Sequence, residues 1–107
     1  MQHQHTMAAS TVGSVVIDVG GDVGALVLYV PASQLGREIE VSRIGSARHR
    51  THAAVRERRL DNGSCYCVVY TGLAAGDYTV WSDDDTPAGT VTVVGGRVTE
   101  TDWSAVF

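Results

Sequence analysis

Cys65 and Cys67 are the pair whose residue type and spacing come nearest to a chemical site. In an extended strand, residues i and i+2 share a face, which sets the two thiols side by side about 6.6 Å apart. A direct disulfide needs β-carbons near roughly 3.8 Å and would require a bulge, so free thiols are expected. Two thiolates would supply half of a tetrahedral zinc or copper set, and His49 and His52 are the imidazoles to test against them. With Asn62-Gly63 as a two-residue turn, Leu60 faces Cys65 and His52 falls roughly 26 Å further along the strand. The cysteines therefore read as small buried apolar residues, with no metal and no cofactor. Only ligands from another chain would reopen that reading.

A second group of candidates is cationic. Between residues 43 and 59 stand six arginines, Arg43, Arg48, Arg50, Arg56, Arg58 and Arg59, against the single acid Glu57, a local charge of +5. The rest of the chain holds two arginines against eleven acids, or −9, so the molecule is electrically polarised. Such a band suits an acidic protein partner, a phosphate-bearing ligand or nucleic acid. No aromatic residue lies between Tyr29 and Tyr66 to stack on bases, so nucleic acid is not expected. Residues 56–59 put charge on both faces of a strand, which only an edge strand or an interface tolerates. Tyr66 and Tyr70 share one face of the next strand, and with Arg59 opposite Tyr66 a cation–π pair is expected. Arginine and tyrosine together suit protein–protein contact, so the expected partner surface is Arg43, Arg48, Arg50, Arg56, Arg58, Arg59, Tyr66 and Tyr70.

Trp81 and Trp103 offer a different chemistry, stacking on a sugar ring or another small ligand, with core packing as the plainer use. Asp83-Asp84-Asp85 lacks the calcium-loop spacing and reads as a solvated turn before Pro87. No Gly-x-Ser-x-Gly elbow supports a nucleophile. All eight basic residues are Arg, so Schiff-base lysines, phosphate-loop lysines and Lys-to-Asn crosslinks are excluded. An enzyme would have to assemble its site between subunits, from His49, His52 and the arginines. The leading expectation is a non-enzymatic module.

The elements that would hold these residues are strands. Short apolar or alternating runs bounded by Gly, Pro, Asn and Asp recur about every ten residues, the spacing of a sandwich or barrel. Residues 14–19 and 25–30 read as strands covered on both faces, because Val15-Val16-Ile17 and Leu26-Val27-Leu28 are unbroken apolar runs. Residues 32–36 allow one helical turn with a Gly stop. Residues 37–44 alternate, with Ile39 and Val41 on one face against Glu38, Glu40 and Ser42 on the other. Residues 50–60 and 65–71 follow as a hairpin joined at Asn62-Gly63. Residues 76–82, 89–94 and 97–103 complete the set. This predicts an all-β, two-sheet, prealbumin-like or immunoglobulin-like sandwich of about seven to eight antiparallel strands.

From Tyr70 onward the order is Gly72-Leu73, small residues, Gly76-Asp77-Tyr78-Thr79-Val80, an acidic loop, Gly89-Thr90-Val91-Thr92-Val93, Gly95-Gly96, and Val98-Thr99-Glu100-Thr101-Asp102-Trp103. This resembles the closing strands of prealbumin-like modules, notably carboxypeptidase regulatory-like and Cna-B-type domains, over about a third of the chain. Leu73 would plug the core at the turn, Gly76 would permit the reversal, and Tyr78 and Val80 would share a face. The resemblance implies a fold shared by many roles. The Cna-B-type crosslink is absent for want of Lys, and the Tyr-Arg-Gly-Ser ending of the hydroxyisourate hydrolase of this fold is replaced by Thr101-Asp102-Trp103-Ser104-Ala105-Val106-Phe107.

With 107 residues there is room for one core, here assigned to residues 14–107 behind a flexible leader, residues 1–13. His3 and His5 in that leader are given no function. The start of the chain has neither a basic n-region nor an apolar run, and nothing approaches a membrane span, which places the protein in the cytoplasm away from membranes. The net charge of −4 likewise disfavours anionic surfaces. The expected function is an interaction module, such as an accessory subunit of a larger assembly, with a homo-oligomer as the other arrangement. A small-ligand or carbohydrate-binding module using Trp81 and Trp103 is the alternative, and the shared-site enzyme is the third reading.

Overall fold

The computed structural model describes residues 4–7, 10–12, 15–17, 19–83 and 86–102. They form an all-β fold of two sheets facing one another across one apolar core. The strands are β1 (Gln4–Met7), β2 (Ser10–Val12), β3 (Val15–Ile17), β4 (Val23–Tyr29), β5 (Glu38–Arg43), β6 (Arg50–Ala54), β7 (Arg56–Leu60), β8 (Gly63–Ala74), β9 (Gly76–Trp81), β10 (Pro87–Val93) and β11 (Val98–Asp102), with a 3-10 turn at Ala32–Gln34. One sheet runs β1-β11-β4-β8-β7 and the other β10-β9-β5-β6, while β2 and β3 pair only with each other.

Strand β4 forms where the apolar run predicts a doubly covered strand. Leu26 and Leu28 enter the core between the sheets, Ala25 and Val27 enter a second apolar cluster on the far face, and none of the four is exposed. Opposite β4, the alternation of β5 sends Ile39 and Val41 inward. Val80 and Tyr78 from β9, Val91 and Val93 from β10, and Val68 and Tyr70 from β8 complete the interior.

The chain builds this sandwich by alternating hairpins with crossings. β5–β6, β7–β8 and β9–β10 are antiparallel hairpins that stay within a sheet. Each is followed by a passage to the opposite sheet: at Val55, at Ala75 and through residues 94–97. The segment from Gly72 to Tyr78 is therefore a corner between sheets. Leu73 and Tyr78 plug the core beside it, and the Tyr78 hydroxyl donates to the Ala74 carbonyl at 2.7 Å, closing the corner. Gly76 sits at φ 149°, open only to glycine, with the Arg43 guanidinium lying over it.

The topology corrects several expectations. Residues 50–60 are two strands in different sheets, because buried Val55 donates its N–H to the Arg37 carbonyl at 2.8 Å and accepts from Gly36 at 3.3 Å, leaving the ladder for a loop. The run Val15-Val16-Ile17 is no central strand, since β3 pairs with β2 alone. Within the expected leader, β1 pairs antiparallel with β11 and forms an edge of the five-stranded sheet. Among the described residues the two sheets thus hold nine strands, and β11 runs parallel to β4.

Candidate functional site

The cationic band is divided by the crossing at Val55. Arg43 and Arg50 belong to β5 and β6 of the four-stranded sheet, and Arg48 lies in the exposed loop between them. Arg56, Arg58 and Arg59 belong to β7, the outermost strand of the five-stranded sheet. That strand takes the edge position, one of the two settings its charge pattern allows.

The β7–β8 register places Leu60 opposite Gly63, with Asp61-Asn62 as the turn. Arg59 accordingly faces Ser64, Glu57 faces Tyr66, Arg58 faces Cys65 and Arg56 faces Cys67, two residues away from the register expected for Asn62-Gly63. The expected Arg59–Tyr66 pair is thereby displaced. The Ser64 hydroxyl donates to Glu57 at 2.8 Å, which occupies the one acid of the strand. No ion pair among the described residues engages Arg56, Arg58 or Arg59.

Tyr66 is half-buried against the core, and Tyr70 is a core residue, 1% exposed, whose hydroxyl donates to the Ile39 carbonyl at 2.7 Å. Their shared face is the inner one. Tyr70 therefore holds the two sheets together and offers nothing to a partner.

Among the described residues a cation–π contact is instead made by Arg50 over Trp81, with the guanidinium carbon 3.7 Å from the ring centroid. Arg50 also pairs with Glu40 at 3.0 Å and donates to the Ala47 carbonyl at 3.0 Å. Beneath them the Trp81 indole donates to buried Ser42 at 3.0 Å. Beside this stack, Glu38, Glu40, Trp81, Ser82 and Asp83 line an open cleft of about 110 Å³. His52 pairs with Glu38 at 3.2 Å on the same outer face. Trp103, Asp84 and Asp85 lie outside the described residues.

Cys65 and Cys67 lie on the far face of the five-stranded sheet, across the sandwich from His52. Both are free thiols, Cys67 wholly buried and Cys65 half-buried, and no group of three or more His, Cys, Asp and Glu among the described residues could hold a metal. Burial pushes the Cys67 thiol up to about 11, helped by Cys65, while the neighbouring Arg58 guanidinium pulls the other way. Arg58 Nε is itself buried and has no hydrogen-bond partner. Tyr29, directly across from Cys67, donates its hydroxyl to buried Glu100 on β11. Burial and that carboxylate both hold the Tyr29 phenol above its ordinary range.

The pairing of Tyr29 with Glu100 went unseen in the sequence because 71 residues separate them and only the parallel β4–β11 ladder joins them. Comparison with protein-family models, curated proteins and solved structures gives no match to this chain.

Proposed function

We propose that this chain is a non-enzymatic β-sandwich interaction module, an accessory subunit that docks through edge strand β7. The observation that carries this reading is three arginines within four residues on a sheet edge, none of them engaged in an ion pair among the described residues. An edge strand offers a row of backbone donors and acceptors to an extended segment, and the arginines select an acidic one. Arg56 and Arg58 flank it on one face and Arg59 on the other.

The test is a triple variant, Arg56→Ser, Arg58→Ser and Arg59→Ser. Wild-type protein recovered from its own cells is expected to carry a partner in fixed stoichiometry, and the variant is expected to lose it with an unchanged melting midpoint. Retention of the partner by a folded variant would remove β7 from the account.

The cleft beside Trp81 favours a second reading, a small-ligand or carbohydrate-binding module. An aromatic side chain bordered by Glu38, Glu40 and Asp83 offers sugar hydroxyls their carboxylate acceptors beside an apolar ring, one face of which Arg50 already covers. Saccharide-dependent quenching of Trp81 in a Trp103→Phe background would support it, and an unaltered spectrum across a saccharide panel would remove it.

A further inference from the structure

We propose that Cys65 and Cys67 form a two-thiolate site for a soft monovalent cation, copper(I), with Arg58 as its counter-charge. Metal binding here is a property beyond docking along β7, and the two share only Arg58.

Cys65 and Cys67 are i and i+2 on a stretch of β8 whose pairing with both β7 and β4 is unshifted at these residues. Their β-carbons therefore stand about 6.6 Å apart, too far for a disulfide, which needs roughly 3.8 Å. A metal bridging two thiolates at about 2.3 Å each spans roughly 4.6 Å between sulfurs. Thiols leaning towards one another from neighbouring same-face positions meet that span without bending the strand. The spacing that forbids the disulfide thus suits the bridge.

Ligand count then selects the ion. Among the described residues no further His, Cys, Asp or Glu completes a larger set, and Glu100 is already bonded to Tyr29. Zinc in structural sites asks for four ligands. Copper(I) is selected by soft thiolates and is satisfied by two of them in a line. The surroundings suit such an ion, since Val27 and Cys67 are wholly buried and half-buried Cys65 leaves an approach from one side.

The charge balance supplies an independent observation. Binding exchanges two S–H bonds for two S–Cu bonds, releases two protons to solvent, and leaves copper in the +1 state, with no oxidant or reductant. The resulting bis-thiolate carries one net negative charge. Arg58 stands directly across from Cys65, and its buried Nε–H lacks an acceptor. A buried donor without a partner calls for an explanation, and an anion formed by the neighbouring thiolates supplies one.

The test is anaerobic titration of the untagged full chain with copper(I) against a chromophoric chelator, with X-ray absorption of the loaded protein. One equivalent per chain with two sulfur neighbours and no nitrogen is expected. Cys65→Ser and Cys67→Ser are each expected to weaken binding at least 100-fold. Arg58→Met is expected to weaken it about 10- to 100-fold, the usual effect of an outer-shell partner. A His3→Ala/His5→Ala variant should bind as wild type does.

Copper(I) held equally well by the Cys65→Ser/Cys67→Ser double variant, a third ligand in the absorption spectrum, or zinc(II) retained as tightly would each overturn the proposal. An Arg58→Met protein with unchanged affinity would overturn the counter-charge. Both cysteine variants leave the β7 arginines intact, so loss of copper binding and loss of docking are separable results.

Discussion

Tyr70 spans the core to the Ile39 carbonyl, and burial, with Glu40 as a lesser cause, raises its phenol above the ordinary value of 10.0. Tyr70→Phe leaves that carbonyl short of a donor and should lower stability by about 1–3 kcal/mol in denaturant titrations. The pH dependence follows from the same shift. Below pH 10 the phenol is neutral in both states and its contribution is whole; above it the unfolded chain ionises first, and stability falls as pH rises. A plot of unfolding free energy against pH should therefore decline above pH 10, less steeply in Tyr70→Phe. Alternation along β8 sets Tyr66 and Tyr70 on one face, but whether that face looks inward depends on the opposite sheet, which local pattern does not contain.

At the scale of elements, what was legible followed from period and punctuation. The alternation of β5, the single turn at Ala32–Gln34 and the unbroken apolar run of β4 all carry their own signals. The passages between sheets do not. No Gly or Pro marks the change at Val55, so residues 50–60 read as one strand, and only the hydrogen bonds of Val55 to Arg37 and Gly36 reveal the step. Close backbone approach is equally silent: a β-carbon on Gly24 would meet the Val94 carbonyl oxygen at 2.4 Å, where β4 passes the crossing into β11. Gly24→Ala should cost about 1–3 kcal/mol, read from its melting midpoint.

The edge itself gives a sharper element-level prediction. In a hairpin closed by a two-residue turn, hydrogen-bonded pairs alternate with non-bonded ones, so Leu60, Arg58 and Arg56 bond to β8 while Glu57 and Arg59 point their N–H groups outward. Arg59→Pro removes an outward donor and leaves the ladder to β8 in place. If a partner adds a strand to β7, this variant should bind it markedly more weakly with little change in melting midpoint, whereas Arg58→Pro should lower the midpoint as well.

At the scale of the whole molecule, the charge polarity read from the sequence survives in altered form. The crossing at Val55 parts the arginines, so that Arg50 is spent on Trp81 and Glu40 while β7 keeps its three. Two faces therefore differ in kind: an acidic cleft around Trp81 on the four-stranded sheet and a basic edge on the five-stranded one. No helix among the described residues is long and apolar enough to cross a membrane. Docking at an exposed basic edge is screened by salt, so partner affinity should fall as ionic strength rises from about 0.05 to 0.5 M, while any ligand held beside Trp81 should be less sensitive.

The most direct measurement is native mass spectrometry of the protein recovered gently from its own cells, wild type beside the Arg56→Ser/Arg58→Ser/Arg59→Ser variant. Wild type is expected in a heteromeric complex of fixed stoichiometry, and the variant as a folded, partner-free chain. The same complex recovered with both proteins, or a bare monomer in each case, would rule out docking along β7.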